Sequence, residues 1–245
     1  MNDETPLFVP TLNKQGYAAP NLDPFSIKFT QFAEGQFLEI GAAFGYATLE
    51  ALKNGASVTA NDMDARHLDE LEAKAESIGF TKLETITGEF PNQLDFEEKQ
   101  FSKILISRVL HFFTGEDIQA ALTHAYNWLK PGGELYVVCE TTYLTNWLSF
   151  IPEYEKRKAN GVAFPGEIDD PKHWEKSWSD NLPEFVHWLD IEPLRQLFEQ
   201  AGFEVVELDY INRAGQFPES LLLDGRESVG IIGRRPDNEN TQEPL

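Results

Sequence analysis

The stretch from Gln36 to Asn54 leaves few choices of fold. A short apolar run, Gln36–Ile40, meets two glycines, Gly41 and Gly45, and passes into a helical segment, Tyr46 to Asn54, closed by Gly55. A strand that feeds a helix through a glycine-bearing turn is the first half of a βαβ unit. Backbone N–H groups and the helix dipole meet at that turn, so it also forms a ready site for a small polar ligand.

The same alternation continues. A second strand is expected at 57–61, a helix at 65–78 with Leu68, Leu71, Ala75 and Ile78 on one face, and a third strand at 83–87. Strands at 103–107 and 134–141 follow, the latter after the turn Lys130-Pro131-Gly132-Gly133. Between these two, Thr114 and Asp117 resemble a capping box, followed by Ile118, Ala121, Leu122, Ala125, Trp128 and Leu129 at helical spacing. Strands that alternate with helices of this length imply right-handed crossovers and a largely parallel sheet covered on both faces. The expected fold is therefore doubly wound α/β in one domain of 245 residues. Residues 1–30 read as an irregular arm or short helices, 31–141 as the core, and 142–189 as an inserted aromatic lid. Residues 190–235 complete the sheet with a helix capped by Asp190 and strands at 203–211 and 228–234, and 236–245 form a polar tail.

Composition narrows the partners. Forty-one acidic residues against twenty basic ones give a formal charge of −21, which repels phosphate backbones and anionic headgroups, so neither nucleic acid nor a membrane is expected as a partner. The single cysteine, Cys139, lies in an apolar run and reads as a buried strand residue. With no apolar leader at the start and no span of ~20 apolar residues, a cytoplasmic location is expected. No histidine or cysteine spacing suggests a metal site.

The glycine loop does not fit a dinucleotide. Placing Gly41 first in GxGxxG puts Ala43 second and Tyr46 third, and Glu39 would repel a diphosphate. S-adenosylmethionine has no phosphate and carries an α-ammonium, which Glu39 matches in charge. Asp62, just past the second strand, is placed to accept both ribose hydroxyls. After the third strand, Gly88-Glu89-Phe90-Pro91 offers a carboxylate for the adenine amino group and an aromatic side chain for its ring. Gly41, Ala42 and Gly45 of the loop, Met63 beside Asp62, and Ser107 at the exit of the fourth strand complete the candidate cofactor set.

Over residues 36–141 the chain resembles the class I S-adenosylmethionine-dependent methyltransferases. Their acidic-xGxGxG loop appears as Glu39-Ile40-Gly41-Ala42-Ala43-Phe44-Gly45, with Ala43 in place of the middle glycine. The resemblance implies ribose binding by Asp62, adenine contact by Glu89, and a Rossmann-like seven-stranded sheet in the order 3-2-1-4-5-7-6 with strand 7 antiparallel.

The acceptor is expected beyond the carboxyl end of the fourth strand. There, His111 is the candidate general base, an imidazole able to take a hydroxyl proton near neutral pH. Its position resembles the histidine of the His-Asp-Trp element of plant small-molecule O-methyltransferases, with Phe112 and Phe113 in place of Asp and Trp. A histidine that packs or caps the next helix is the alternative. Arg108, either paired with Glu89 or an acceptor carboxylate or, the favoured alternative, a solvated surface arginine, joins Tyr17, Tyr143 and Trp147 as candidate substrate residues. The function expected is methyl transfer to a small molecule, at oxygen. The alternatives are a protein or N-methyltransferase and a non-catalytic S-adenosylmethionine-binding protein.

Overall fold

The strand Phe37-Leu38-Glu39-Ile40 points alternate side chains to opposite faces, and helices cover both. The computed structural model describes residues 7–14, 16–31, 34–176 and 183–237. Seven strands form one sheet: β1 (Gln36–Ile40), β2 (Ser57–Asp62), β3 (Leu83–Thr87), β4 (Phe101–Ser107), β5 (Leu129–Glu140), β6 (Glu204–Ile211) and β7 (Ser228–Arg234). Their spatial order is β3-β2-β1-β4-β5-β7-β6, with β7 antiparallel to both neighbours and the first five strands parallel, in the order expected.

Helices α1 (Pro24–Thr30), α2 (Tyr46–Lys53) and α3 (Ala65–Ile78) pack on one face. Phe25, Phe29, Ala47 and Ala51 meet Phe37, Val58, Leu105, Tyr136 and Val138 there, while Leu68 and Leu71 pack with Leu49 and Ala60. On the other face, α4 (Gly115–Trp128) and α6 (Ile191–Gln200) cover Leu38, Ile40, Ile104, Ile106, Leu135 and Val137 through Ile118, Leu122, Leu194 and Phe198. The Thr114 hydroxyl accepts from Asp117 N at 3.2 Å and donates to Asp117 Oδ2 at 2.7 Å, and Asp190 Oδ1 accepts from Ile191 N at 2.7 Å, as their positions predict.

Two features differ from expectation. Phe101 pairs with Leu129 and Lys103 with Glu134, so β5 starts five residues early and residues 130–133 loop out of it instead of preceding it. Gly132, at φ 73°, makes that excursion possible. The inserted residues are also more than a covering. Helix α5 (Ile151–Ala159) and a two-residue ladder, Glu167–Ile168 with Val186–His187, enclose a separate core of Tyr143, Leu144, Trp147, Phe150, Tyr154, Ile168, Val186 and Trp188. Phe217, from the loop between β6 and β7, closes it. Most of the insert's aromatic residues therefore pack on one another; Trp178 lies outside the described residues.

In the first thirty residues, Val9–Pro10 pairs with Tyr17–Ala18, and α1 is a short core helix capped by Asp23, which accepts from Phe25 N and Ser26 N. Cys139 is fully buried in β5. Among the described residues, no helix is long and apolar enough to cross a membrane, and no group of three His, Cys, Asp or Glu side chains is placed to hold a metal ion.

Candidate functional site

The carboxyl ends of β1, β2, β4 and β5 open onto one cavity of about 610 Å³. Of the residues selected from sequence, Tyr17, Glu39, Gly41, Ala42, Asp62, Met63, Glu89, Phe90, Ser107, Arg108, His111 and Trp147 line it. Gly45 and Tyr143 do not.

The turn after β1 is shaped by three left-handed residues, Gly41 at φ 69°, Ala43 at φ 47° and Gly45 at φ 69°. A Cβ on Gly41 would lie 2.5 Å from Val109 Cγ2, filling the cradle that the loop makes. One on Gly45 would strike Leu71 Cδ1 at 2.3 Å, so Gly45 brings α2 against α3 and acts at the N-terminus of its helix. Ala43 adopts a conformation that side chains disfavour, and its N–H donates to Asp62 Oδ2 at 2.8 Å.

Glu39 is 6% exposed, and its Oε2 accepts from Thr48 N at 2.8 Å and from the Thr48 hydroxyl. Burial pushes its carboxyl up to about 7, against the pull of those hydrogen bonds and with help from the nearby Asp62 carboxylate. A cation in the cavity would reverse that cost, which fits an ammonium group. Asp62 is held from three sides, with Oδ2 on Ala43 N and Oδ1 on Asp64 N at 2.9 Å and beside His67 Nδ1 at 3.1 Å. Because His67 Nε2 accepts from Leu12 N at 2.8 Å, the ring proton sits on Nδ1 and points to Asp62. Glu89 is exposed at the rim, and Met63, 51% exposed, stands beside Asp62 as an apolar wall. Phe90 is nearly buried, packed on Phe113 and Trp128 at 6.0 Å each, so only its edge of the cavity lining remains for a ligand.

At the end of β4, Arg108 sits at φ 61° and pairs with Glu140, not with Glu89. Its Nη1 donates to Tyr17 O at 3.1 Å, and the guanidinium lies over Phe8 and Phe217, so it is no solvated surface arginine. His111 turns Nδ1 to Glu140 Oε2 at 3.4 Å and stacks on Trp188. Burial drives the His111 imidazole down to about 4; Glu140 opposes that drop and Arg108 adds to it. Despite burial, Arg108, His111 and Arg213 hold Glu140 down to about 2. Tyr143 is removed from the cavity because its hydroxyl donates to Glu155 and the Arg226 guanidinium covers its ring at 3.6 Å.

Sequence reasoning passed over four residues that matter here. His67 carries no sequence signal beyond its place in a helix, yet in the first turn of α3, five positions after Asp62, it is brought back to the strand end. Glu140 was hidden in the apolar run of β5. Arg213 and Trp188 come from distant loops and carry no local signal.

Residues 37–133 match the family model described as a methyltransferase domain. The carboxy-S-adenosyl-L-methionine synthase of Yersinia enterocolitica is 25% identical over 188 residues, which cover 71% of this chain. The match spans only 64% of that protein's own length. Among solved structures, an S-adenosylmethionine-dependent methyltransferase from Methanosarcina mazei aligns with a TM-score of 0.63 at 21% identity, covering 89% of this chain and all of that one. The 1,6-didemethyltoxoflavin-N1-methyltransferase of Burkholderia thailandensis, solved with 1,6-didemethyltoxoflavin and S-adenosylhomocysteine, aligns with a TM-score of 0.58 at 16% identity, covering 88% of this chain and 80% of that one.

Proposed function

We propose that this chain, a class I S-adenosylmethionine-dependent methyltransferase by family and fold, moves the methyl group of S-adenosylmethionine to an oxygen of a small-molecule acceptor in the cytoplasm. The observation that carries the reading is the line of acids at the carboxyl ends of β1, β2 and β3, namely Glu39 and Asp62 among the last residues of their strands and Glu89 just past its own, around a left-handed glycine loop in one cavity.

When bound, S-adenosylmethionine supplies a methyl group already activated on a sulfonium, so the chain has mainly to align the reactants. Glu39 holds the ammonium, Asp62 the ribose hydroxyls, and Met63, Glu89 and the edge of Phe90 the adenine. Loop residues Gly41 and Ala42 bring the backbone close to the ligand. His111 takes the acceptor proton, since it is neutral above about pH 4 and Glu140 stands behind Nδ1 to stabilise the imidazolium. That placement is what favours an oxygen nucleophile over nitrogen.

Incubation with S-adenosylmethionine and separate panels of hydroxylated metabolites, amines and peptides tests the reading. S-adenosylhomocysteine formed with the hydroxylated metabolites is the expected result. Turnover of peptides alone would assign a protein methyltransferase, and cofactor binding without turnover of any panel a binding protein. A second reading is suggested by the Yersinia relative's name together with the arginines at the cavity. Adding a further panel of carboxylic acids as carboxyl donors separates it, because a synthase of that kind would move a carboxyl group from one of them to give carboxylated S-adenosylmethionine in place of S-adenosylhomocysteine.

A further inference from the structure

Arg213 follows β6 and lines the cavity with only 1% of its surface exposed. Its guanidinium has five N–H donors. The Nε donor reaches Ser228 Oγ at 2.8 Å, and Nη1 reaches Gln216 Oε1 at 2.9 Å. Asp23 Oδ2, at 3.8 Å from Nη1, is too far for a hydrogen bond, and its carboxylate already caps α1 through Phe25 N, Ser26 N and the Ser26 hydroxyl. Nη2 has no hydrogen-bond partner, although the Asp23, Glu140 and Glu227 carboxylates act on the guanidinium's charge.

A buried cationic nitrogen with both N–H groups unmatched is costly, and native structures rarely keep one without a use. Arg108 is different, being engaged by Glu140 and Tyr17 O. Three more buried polar atoms without hydrogen-bond partners, His111 Nδ1, Trp188 Nε1 and Asn146 Oδ1, belong to residues lining the same cavity, and of these His111 Nδ1 already faces Glu140. The cavity thus offers a charged donor, a neutral donor and an acceptor, with the ring of Phe217 beneath the Arg213 guanidinium at 5.1 Å.

We infer that the methyl acceptor is a small acid whose carboxylate is bound by Arg213 through Nη2, with Trp188 Nε1 and Asn146 Oδ1 meeting its other polar groups. The inference rests on the cavity being a methyltransferase site. It selects against neutral analogues, because a buried donor set rejects a ligand that leaves it unpaired.

Calorimetry on protein saturated with S-adenosylhomocysteine, titrated with benzoate and with its neutral isostere benzamide, tests it. Benzoate is expected to bind about ten- to a hundredfold more tightly than benzamide. Arg213→Lys should remove most of that difference while the S-adenosylhomocysteine affinity stays as in the wild type. Equal binding of acid and amide, or no benzoate binding up to about 10 mM, overturns the inference and leaves cofactor binding intact. Failure of S-adenosylhomocysteine itself to bind removes the underlying reading and this inference with it. Should Arg213→Lys not fold, a structure of the wild-type protein with benzoate decides: carboxylate oxygens on Nη2 support the assignment, and a carboxylate on Arg108 or elsewhere overturns it.

Discussion

His67 Nδ1 lies 3.1 Å from Asp62 Oδ1, while its other ring nitrogen accepts from Leu12 N. The buried imidazole therefore joins the N-terminal segment to the carboxylate expected to hold the ribose. It works through Asp62 and is a positioning residue. His67→Phe keeps a ring against Phe44, now 5.1 Å away, but frees Asp62 to turn. S-adenosylhomocysteine affinity should fall about tenfold with the fold retained. Calorimetry that finds an unchanged Kd would reduce the histidine to packing.

Glu39 sets a pH dependence of binding. Its folded carboxyl titrates at about 7, well above the unfolded value, so the free protein holds this proton through weakly acid pH. The linked stability is fully present below the unfolded value and is lost as pH rises through about 7. A cationic ligand has the opposite preference, for the ionised form. Each pH unit below about 7 should weaken S-adenosylhomocysteine binding by up to tenfold, with a plateau above. Glu39→Gln should bind weakly at pH 8 and show no slope. A wild-type affinity that is flat from pH 5.5 to 8 contradicts the ammonium assignment.

His111 has the reverse sign. Its folded value, about 4, lies below the ordinary one, so the stability gained by keeping it neutral is complete above about 6.5 and is lost as pH falls toward 4. At saturating cofactor, kcat should show no acid limb near 6.5, and His111→Ala should lower kcat about a hundredfold. A limb near 6.5 that disappears in His111→Ala would mean that the ring is solvated during turnover.

Ala43 tests the loop. At φ 47° a methyl side chain is strained, and Ala43→Gly should raise stability by about 0.5 kcal/mol in thermal or urea unfolding. Gly41→Ala should do the opposite and also reduce S-adenosylhomocysteine affinity, because its Cβ meets Val109 at 2.5 Å. Equal stability of Ala43→Gly and wild type would show that the loop relaxes around the alanine.

The half of the site built on strand ends was legible in the sequence. Glu39, Asp62 and Glu89 each stand at the carboxyl end of a strand in a regular βαβ alternation, so strand order alone brings them to one edge. The other half was not. Arg213, Trp188 and Glu140 are tens of residues apart in sequence and converge only because β6 and the insert both return to the end of β5. Local periodicity says nothing about such convergence. Arg108 illustrates the difference: its position at the exit of β4 was readable, but its partner was not, because Glu140 reads as part of a buried strand until the fold places it opposite.

The most direct test of the account is calorimetric titration of the wild-type protein and Asp62→Ala with S-adenosylhomocysteine at pH 8. One molecule should bind per wild-type chain with a Kd below about 100 µM, and Asp62→Ala should weaken it at least about tenfold. No binding to the wild type at millimolar ligand, or equal binding to both proteins, would contradict the assignment of this cavity to S-adenosylmethionine.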